Sequence, residues 1–241
     1  MVKKVIALLF LLTLSVAEAQ TPSPRTAESA VTPVDFSRHA GFLREIEEGD
    51  RDFDIVLIGD SITDWWPRNG GESYAGFSPW KPLNLGVASE GTEHVLYRIT
   101  HGELDGIHPK VVMIMIGTNN LGRSPDEKPE WTAEGVKKIV SVVRSKCPHA
   151  KILLLAILPC ASSPNHPIRS RIDAVNRLIA PIADNRTVFF MNIGDRFVDA
   201  QGNLKTDLMP DQLHPNAAGY QLWMEAVKPT LSKLMQDSPQ S

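Results

Sequence analysis

Five short apolar runs punctuate the chain: Asp54–Ile58, Pro82–Leu85, Val111–Ile116, Ile152–Leu158 and Thr187–Met191, each bounded by charged, polar or turn-forming residues. Runs of this length, rich in Val, Ile and Leu, read as buried strands. The stretches between them carry a different rhythm. Phe36, Ala40, Leu43 and Ile46 form an apolar stripe at helical spacing over Phe36–Glu48, with Gly41 working against it. Val136, Ile139, Val140 and Val143 repeat at i, i+3, i+4 and i+7, and Thr132 is placed to cap that helix. A closing helix is expected from Asn216 to Met235, entered at Pro215 and kinked or interrupted at Pro229.

Strands alternating with helices imply right-handed crossovers and a parallel sheet covered on both faces. The expected class is α/β, a three-layer α/β/α sandwich around a five-stranded parallel, flavodoxin-like sheet in the order 2-1-3-4-5. Two long loops, Leu121–Trp131 and Pro159–Arg169, follow strands and should overhang the carboxyl edge of that sheet.

The first residues change the picture from a plain globular chain to an exported one. Lys3 and Lys4 precede the apolar run Val5–Val16, and Ala17-Glu18-Ala19 supplies a small-x-small cleavage pattern before Gln20. The alternative is a permanent anchor, but the run is short for a span of about 20 residues. The expected division is a signal peptide over 1–19, a Ser/Thr/Pro/Ala-rich leader over 20–34, one domain over 35–236 and a tail over 237–241. The expected location is periplasmic or extracellular, with no stable membrane insertion after cleavage. A formal charge of −3 gives nucleic acid or an anionic membrane no electrostatic handle, and cleavage deletes Lys3, Lys4 and Glu18 to leave −4. Cys147 and Cys160 flank the fourth strand, so they stand roughly 25 Å apart at ~3.3 Å per residue. A disulfide needs Cα atoms within about 7 Å.

Chemistry-bearing residues gather at the ends of successive strands, where open parallel sheets bind ligands. Ser61 lies in Ile58-Gly59-Asp60-Ser61-Ile62-Thr63, just after the first strand. Gly86 follows the second in Asn84-Leu85-Gly86-Val87, and Asn119 the third in Gly117-Thr118-Asn119-Asn120. Asp211 and His214 come after the fifth. A serine hydroxyl needs a base to become a nucleophile, and His214 can serve. Asp211, three residues earlier, can fix the imidazole tautomer. The Ser61 and Gly86 N–H groups and the Asn119 amide can receive an oxyanion. Taken singly, each residue has a plain alternative: a tight turn for Gly86, a cap for Asn119, an N-cap for Asp211 and a surface position for His214. No His, Cys, Asp or Glu spacing suggests a metal site, and no cofactor is expected.

These blocks resemble the GDSL/SGNH hydrolase superfamily across about Asp54–Val227, on Ser61, Gly86, Asn119 and His214. The resemblance is closer to the platelet-activating-factor acetylhydrolase catalytic-subunit type. It rests there on Leu85-Gly86, Glu93-His94-Val95-Leu96-Tyr97-Arg98-Ile99, Gly102-Glu103-Leu104, Pro109-Lys110-Val111 and Gly117-Thr118-Asn119-Asn120. It implies the three-layer fold, an acyl-serine intermediate, Asp211 and His214 as the catalytic pair, and no metal. The first block departs by reading Gly-Asp-Ser-Ile-Thr. Ile62 and Leu213 adjoin nucleophile and base, and by resemblance they wall a small acyl pocket; as ordinary core residues they would do neither. Trp65 and Trp66 read either as packing or as a sugar or acyl platform. Asn185-Arg186-Thr187 is a glycosylation sequon.

The expected activity is a serine esterase removing a short acyl group, acetyl first, from a carbohydrate or small-molecule ester. Two readings stand beside it: a phospholipid-directed acetylhydrolase or lysophospholipase, and a non-catalytic carbohydrate-binding protein on this fold. The expected partner is the glycan or small-molecule ester alone, and the resemblance admits a homodimer.

Overall fold

The computed structural model describes residues 33–237; the expected signal peptide over 1–19, nearly all of the expected leader over 20–34 and the last four residues lie outside them. Five strands are present: β1 Ile55–Gly59, β2 Pro82–Gly86, β3 Val111–Met115, β4 Lys151–Leu155 and β5 Val188–Met191. All pair in parallel, in the order β2-β1-β3-β4-β5. The strands are buried on both faces because alternate residues feed two separate cores. Val56, Ile58, Val112, Ile114, Ile152 and Leu154 point to one side. There they meet α1 Phe36–Glu48, α4 Thr92–Thr100, α6 Pro129–Lys146 and α7 Pro167–Ile179. Ile55, Leu57, Val111, Met113, Leu153 and Leu155 point to the other, against α8 Ala217–Gln236 and a 3-10 segment over Gly71–Trp80. This is the three-layer α/β/α arrangement expected.

Strand ends shift by a residue and helices take in the ends of both expected loops, and three larger differences from the sequence expectation each have a local reason. α6 starts at Pro129, whose fixed φ and missing N–H suit a first turn. Thr132 therefore caps nothing, and its hydroxyl donates to Glu127 at 2.9 Å inside the helix. β4 stops at Leu155, because β5 ends with Met191 opposite it. The Asn176 side chain on α7 then replaces the ladder, accepting from Ile157 N at 2.8 Å and donating to its carbonyl at 3.0 Å. α8 continues without interruption through Pro229. Trp223, Val227, Leu231 and Leu234 bury its core-facing stripe, and that burial outweighs one missing hydrogen bond on the exposed side.

The region between β1 and β2 carries no helical period in its sequence. It holds two single-turn helices, α2 Ser61–Asp64 and α3 Trp66–Asn69, before the 3-10 segment. They are held by aromatic packing rather than helical periodicity: Trp66 is fully buried against Phe77, Tyr220 and Trp223, with centroid distances of 5.1, 5.3 and 4.5 Å. Cys147 and Cys160 are both buried and free. No helix among the described residues is long and apolar enough to cross a membrane.

Candidate active site

The strand order reverses direction at β1, so the crevice beyond the ends of β1 and β3 is where a ligand is accommodated in such a sheet. β1 ends at Gly59, where a Cβ would collide with Thr63 Oγ1 and lie 2.7 Å from the Met115 carbonyl. Only glycine lets the chain turn there into α2. Asp60 caps that turn, its carboxyl accepting from Ile62 N at 3.0 Å. Ser61 therefore takes the first position of α2, where its N–H has no acceptor four residues back.

The Ser61 hydroxyl lies 2.9 Å from His214 Nε2, across 153 residues of sequence. His214 Nδ1 lies 2.6 Å from Asp211 Oδ2. The Asp211–His214 turn is built by the aspartate itself: Oδ1 accepts from Leu213 N at 3.0 Å and His214 N at 2.7 Å. Gln212 adopts a left-handed φ of 64°, and its carbonyl and side chain hold the main chain of Ala161 and Ser162, both at 3.0 Å. Burial alone would raise the Asp211 carboxyl. The hydrogen bonds from the His214 main chain and ring and from Leu213 N outweigh it and hold the group below its ordinary value. An ionised carboxylate only accepts, so Nδ1 carries the imidazole proton and Nε2 is left to accept from Ser61.

Trp65, at the end of α2, lies against the imidazole with ring centroids 4.3 Å apart, and the Arg68 guanidinium sits 5.5 Å from the Trp65 ring. The adjacent tryptophans thus divide the two roles open in the sequence: Trp66 is core, Trp65 abuts the histidine. Nothing in the sequence says which of two neighbours at the junction of α2 and α3 faces the site. Beside Trp65 and His214 runs an open groove of about 400 Å³, lined also by Asn69, Pro210, Asn216 and Ala217.

Two of the expected site residues are placed differently. The Gly86 N–H is already donated to Asn84 Oδ1 at 2.9 Å, so it does not offer itself to an oxyanion. Its glycine requirement is steric: a Cβ would strike the main chain of Thr63 and Asp64, against which β2 is pressed. Ile62 is 1% exposed in the α8-side core, and its carbonyl accepts from Tyr220 at 2.8 Å, so it has no open face for an acyl group. Leu213 is half-buried and packs toward the opposite core. The two do not wall one pocket.

Asn119 sits in α5 Thr118–Arg123, directly after β3. Its Nδ2 donates to the Glu90 carbonyl at 2.9 Å, which leaves the second amide hydrogen uncommitted. Glu90 belongs to the loop 87–91 after β2, where Ser89 has a φ of 66°. Burial raises the Glu90 carboxyl, with the Arg98 guanidinium pulling the other way. Burial also pushes Asp60 up to about 7, reinforced by the charge of Glu90. Among the described residues no group of His, Cys, Asp and Glu is arranged to hold a metal ion.

Residues 57–222 match the model of the GDSL-like Lipase/Acylhydrolase family. The chain is 33% identical over 206 residues to human platelet-activating factor acetylhydrolase IB subunit alpha1, covering 83% of each. It is 31% identical over 206 residues to the alpha2 subunit of Rattus norvegicus, covering 85% of this chain and 86% of that one. Among solved structures, a GDSL-like lipase from Bacteroides thetaiotaomicron superposes with a TM-score of 0.69 at 19% identity, over 83% of this chain and 99% of that chain. Axe2, an acetylxylan esterase from Geobacillus stearothermophilus, superposes with a TM-score of 0.58 at 17% identity, over 76% and 94%. These two share the fold.

Proposed function

Because this chain belongs to the GDSL-like lipase/acylhydrolase family and is a carboxylic ester hydrolase, we propose that it is an exported acetylesterase with Ser61 as nucleophile, acting on acetylated carbohydrates. The observation that carries the reading is the continuous line from Ser61 Oγ through His214 to Asp211, at 2.9 and 2.6 Å. His214 Nε2 takes the hydroxyl proton as Ser61 Oγ bonds to the ester carbonyl carbon. The carbonyl oxygen becomes an oxyanion, received by the Ser61 N–H and the free Asn119 amide hydrogen. Collapse breaks the ester C–O bond. His214 passes its proton to the departing alcohol, and the acetyl group stays on Ser61. A water then gives its proton to His214 and attacks the acyl carbon. Acetate leaves, and Ser61 recovers its proton. Asp211 holds the imidazole in the required tautomer throughout and stabilises its charged form.

The carbohydrate assignment rests on the groove beside His214. Trp65 and His214 line it beside the amides of Asn69 and Asn216, aromatic surface next to polar groups, a combination suited to a sugar. The export assignment rests on Lys3, Lys4, Val5–Val16 and Ala17-Glu18-Ala19. A phospholipid-directed acetylhydrolase is the second reading, and the 33% identity to an acetylhydrolase subunit favours it.

Ser61→Ala is expected to lose p-nitrophenyl acetate hydrolysis and fluorophosphonate labelling while keeping the wild-type circular dichroism spectrum. Retained turnover in that variant would sink the assignment, and wild-type protein that resists the probe would revive a non-catalytic role. Acetylated xylo-oligosaccharides tested against an acetylated ether phospholipid decide between the two substrates. Amino-terminal sequencing of the exported protein should begin at Gln20.

A further inference from the structure

Under the loop 87–91 lies a cluster of charged side chains that takes no part in the steps above. Arg98 on α4 is fully buried. Its guanidinium binds in three directions: Nε donates to Glu90 Oε2 at 2.8 Å, Nη1 pairs with Glu103, and Nη2 donates to the Leu85 carbonyl at 3.0 Å. Glu103 and Glu90 are likewise inaccessible. Glu103 also bonds His39 Nδ1 on α1 at 2.7 Å, and Phe42 lies 5.6 Å from the Arg98 guanidinium. One arginine thereby ties the end of β2, at Leu85, to the loop that follows it, at Glu90.

Glu90 faces two ways. Its side chain is tethered to Arg98 below, and its main-chain carbonyl accepts the Asn119 amide at 2.9 Å above. An asparagine side chain has two soft torsions, and a flexible loop would give it a mobile acceptor. Here the acceptor is fixed by a charged pair inside the core, where hydrogen bonds are strong because water is absent. The upper side of the loop and the start of α4 behind it are held as well: Arg123 reaches the Ser89 carbonyl, and Asn120 accepts from Thr92 N at 3.0 Å.

We propose that Glu90 is a positioning residue for ester cleavage, anchored by Arg98 and acting through its carbonyl on the aim of the Asn119 amide. The inference rests on the reading of Asn119 as an oxyanion donor. Glu90→Met is the informative change. It cuts the tether while leaving Arg98 paired with Glu103, so no charge is stranded in the core. Its kcat/KM for p-nitrophenyl acetate should fall on the order of 10-fold, a fraction of the 10²–10³ that a lost oxyanion donor costs. Glu90→Gln keeps an acceptor for Arg98 Nε and should recover activity to within about 3-fold of wild type.

The deciding measurement is the double-mutant cycle with Asn119→Ala. If Glu90 works through Asn119, adding Glu90→Met to Asn119→Ala changes kcat/KM by less than about 2-fold. A merely structural role predicts that the two losses multiply, and that result overturns the proposal, as does wild-type activity in Glu90→Met. Should Glu90→Met not fold, Arg98→Lys serves: it keeps the positive charge, loses the three-way fork, and should show the same non-additivity. An Asn119→Ala variant with undiminished activity would overturn the oxyanion reading and this inference together. A large Asn119→Ala loss with multiplying Glu90 effects overturns this inference alone.

Discussion

Asp60 provides a quantitative test of how the site is built. It is 1% exposed, adjoins Ser61, and burial pushes its carboxyl from an ordinary value of 3.8 up to about 7. At about 1.4 kcal/mol per pH unit, its ionisation inside the fold costs about 4 kcal/mol more than in the unfolded chain. The sign follows from proton binding. Below pH 3.8 both states hold the proton and the group costs nothing. Between there and about 7 the unfolded chain releases its proton while the folded chain keeps it, so stability falls as pH rises. Above 7 the deficit is constant. Asn in place of Asp60 mimics the neutral acid and still caps α2. Urea unfolding followed by tryptophan fluorescence should therefore show Asp60→Asn more stable than wild type by about 1.5 kcal/mol at pH 5 and up to about 4 kcal/mol at pH 8.5. A variant that is less stable by the same amount at both values would refute the argument, because it would mean that the carboxylate is a favourable cap rather than a buried charge.

Three further outcomes are expected. Asp211→Asn keeps an oxygen for the Leu213 and His214 N–H groups but loses the obligate acceptor for Nδ1; kcat for p-nitrophenyl acetate should fall on the order of 10⁴ with little change in melting temperature, and a loss under 10-fold would contradict the tautomer argument. Pro229→Ala restores one helical hydrogen bond on the exposed face of α8, a gain of about 3 kcal/mol less about 1 kcal/mol for the freer unfolded chain. Scanning calorimetry should show a melting point higher by roughly 4–8 °C. The Cys147 and Cys160 thiols, each pushed up to about 11 by burial, should resist iodoacetamide at pH 7.5 in native protein and both react in urea; mass spectrometry distinguishes the two.

The sheet was legible because burial on both faces writes a strand as an unbroken apolar run, and because each crossover helix carries its own stripe. The Ser61–His214–Asp211 line was legible because parallel strands end at one edge of the sheet, so residues 153 positions apart need only follow the right strands. What stayed hidden depends on contacts between segments. A glycine after a strand is the same letter whether it frees an N–H or admits a neighbouring backbone, and Gly86 turned out to serve Thr63 and Asp64. Pro229 is a breaker by local rules, yet a buried stripe of Trp223, Val227, Leu231 and Leu234 carries the helix past it. The helices between Ser61 and Asn69 are a single turn each, too short for any period, and exist because Trp66 is enclosed by three other rings.

Two aspartates in this site carry the same side chain and are driven in opposite directions, which neither letter nor spacing reveals. Asp211 has 56% of its side chain exposed and takes three hydrogen bonds from its own turn and its histidine, so it stays ionised. Asp60 is enclosed, receives one N–H from Ile62 on its carboxyl, and feels Glu90, so it holds its proton. Exchanging the two environments would damage both functions. A protonated Asp211 could offer its hydrogen to Nδ1, moving the imidazole proton to Nε2 and turning the base away from Ser61. An ionised Asp60 would place a negative charge next in the chain to Ser61, whose N–H receives the oxyanion in the proposed reaction. The depth of each carboxyl, set by the turn after β1 and the turn before α8, therefore decides which aspartate orients the base in the proposed reaction and which stays neutral beside Ser61.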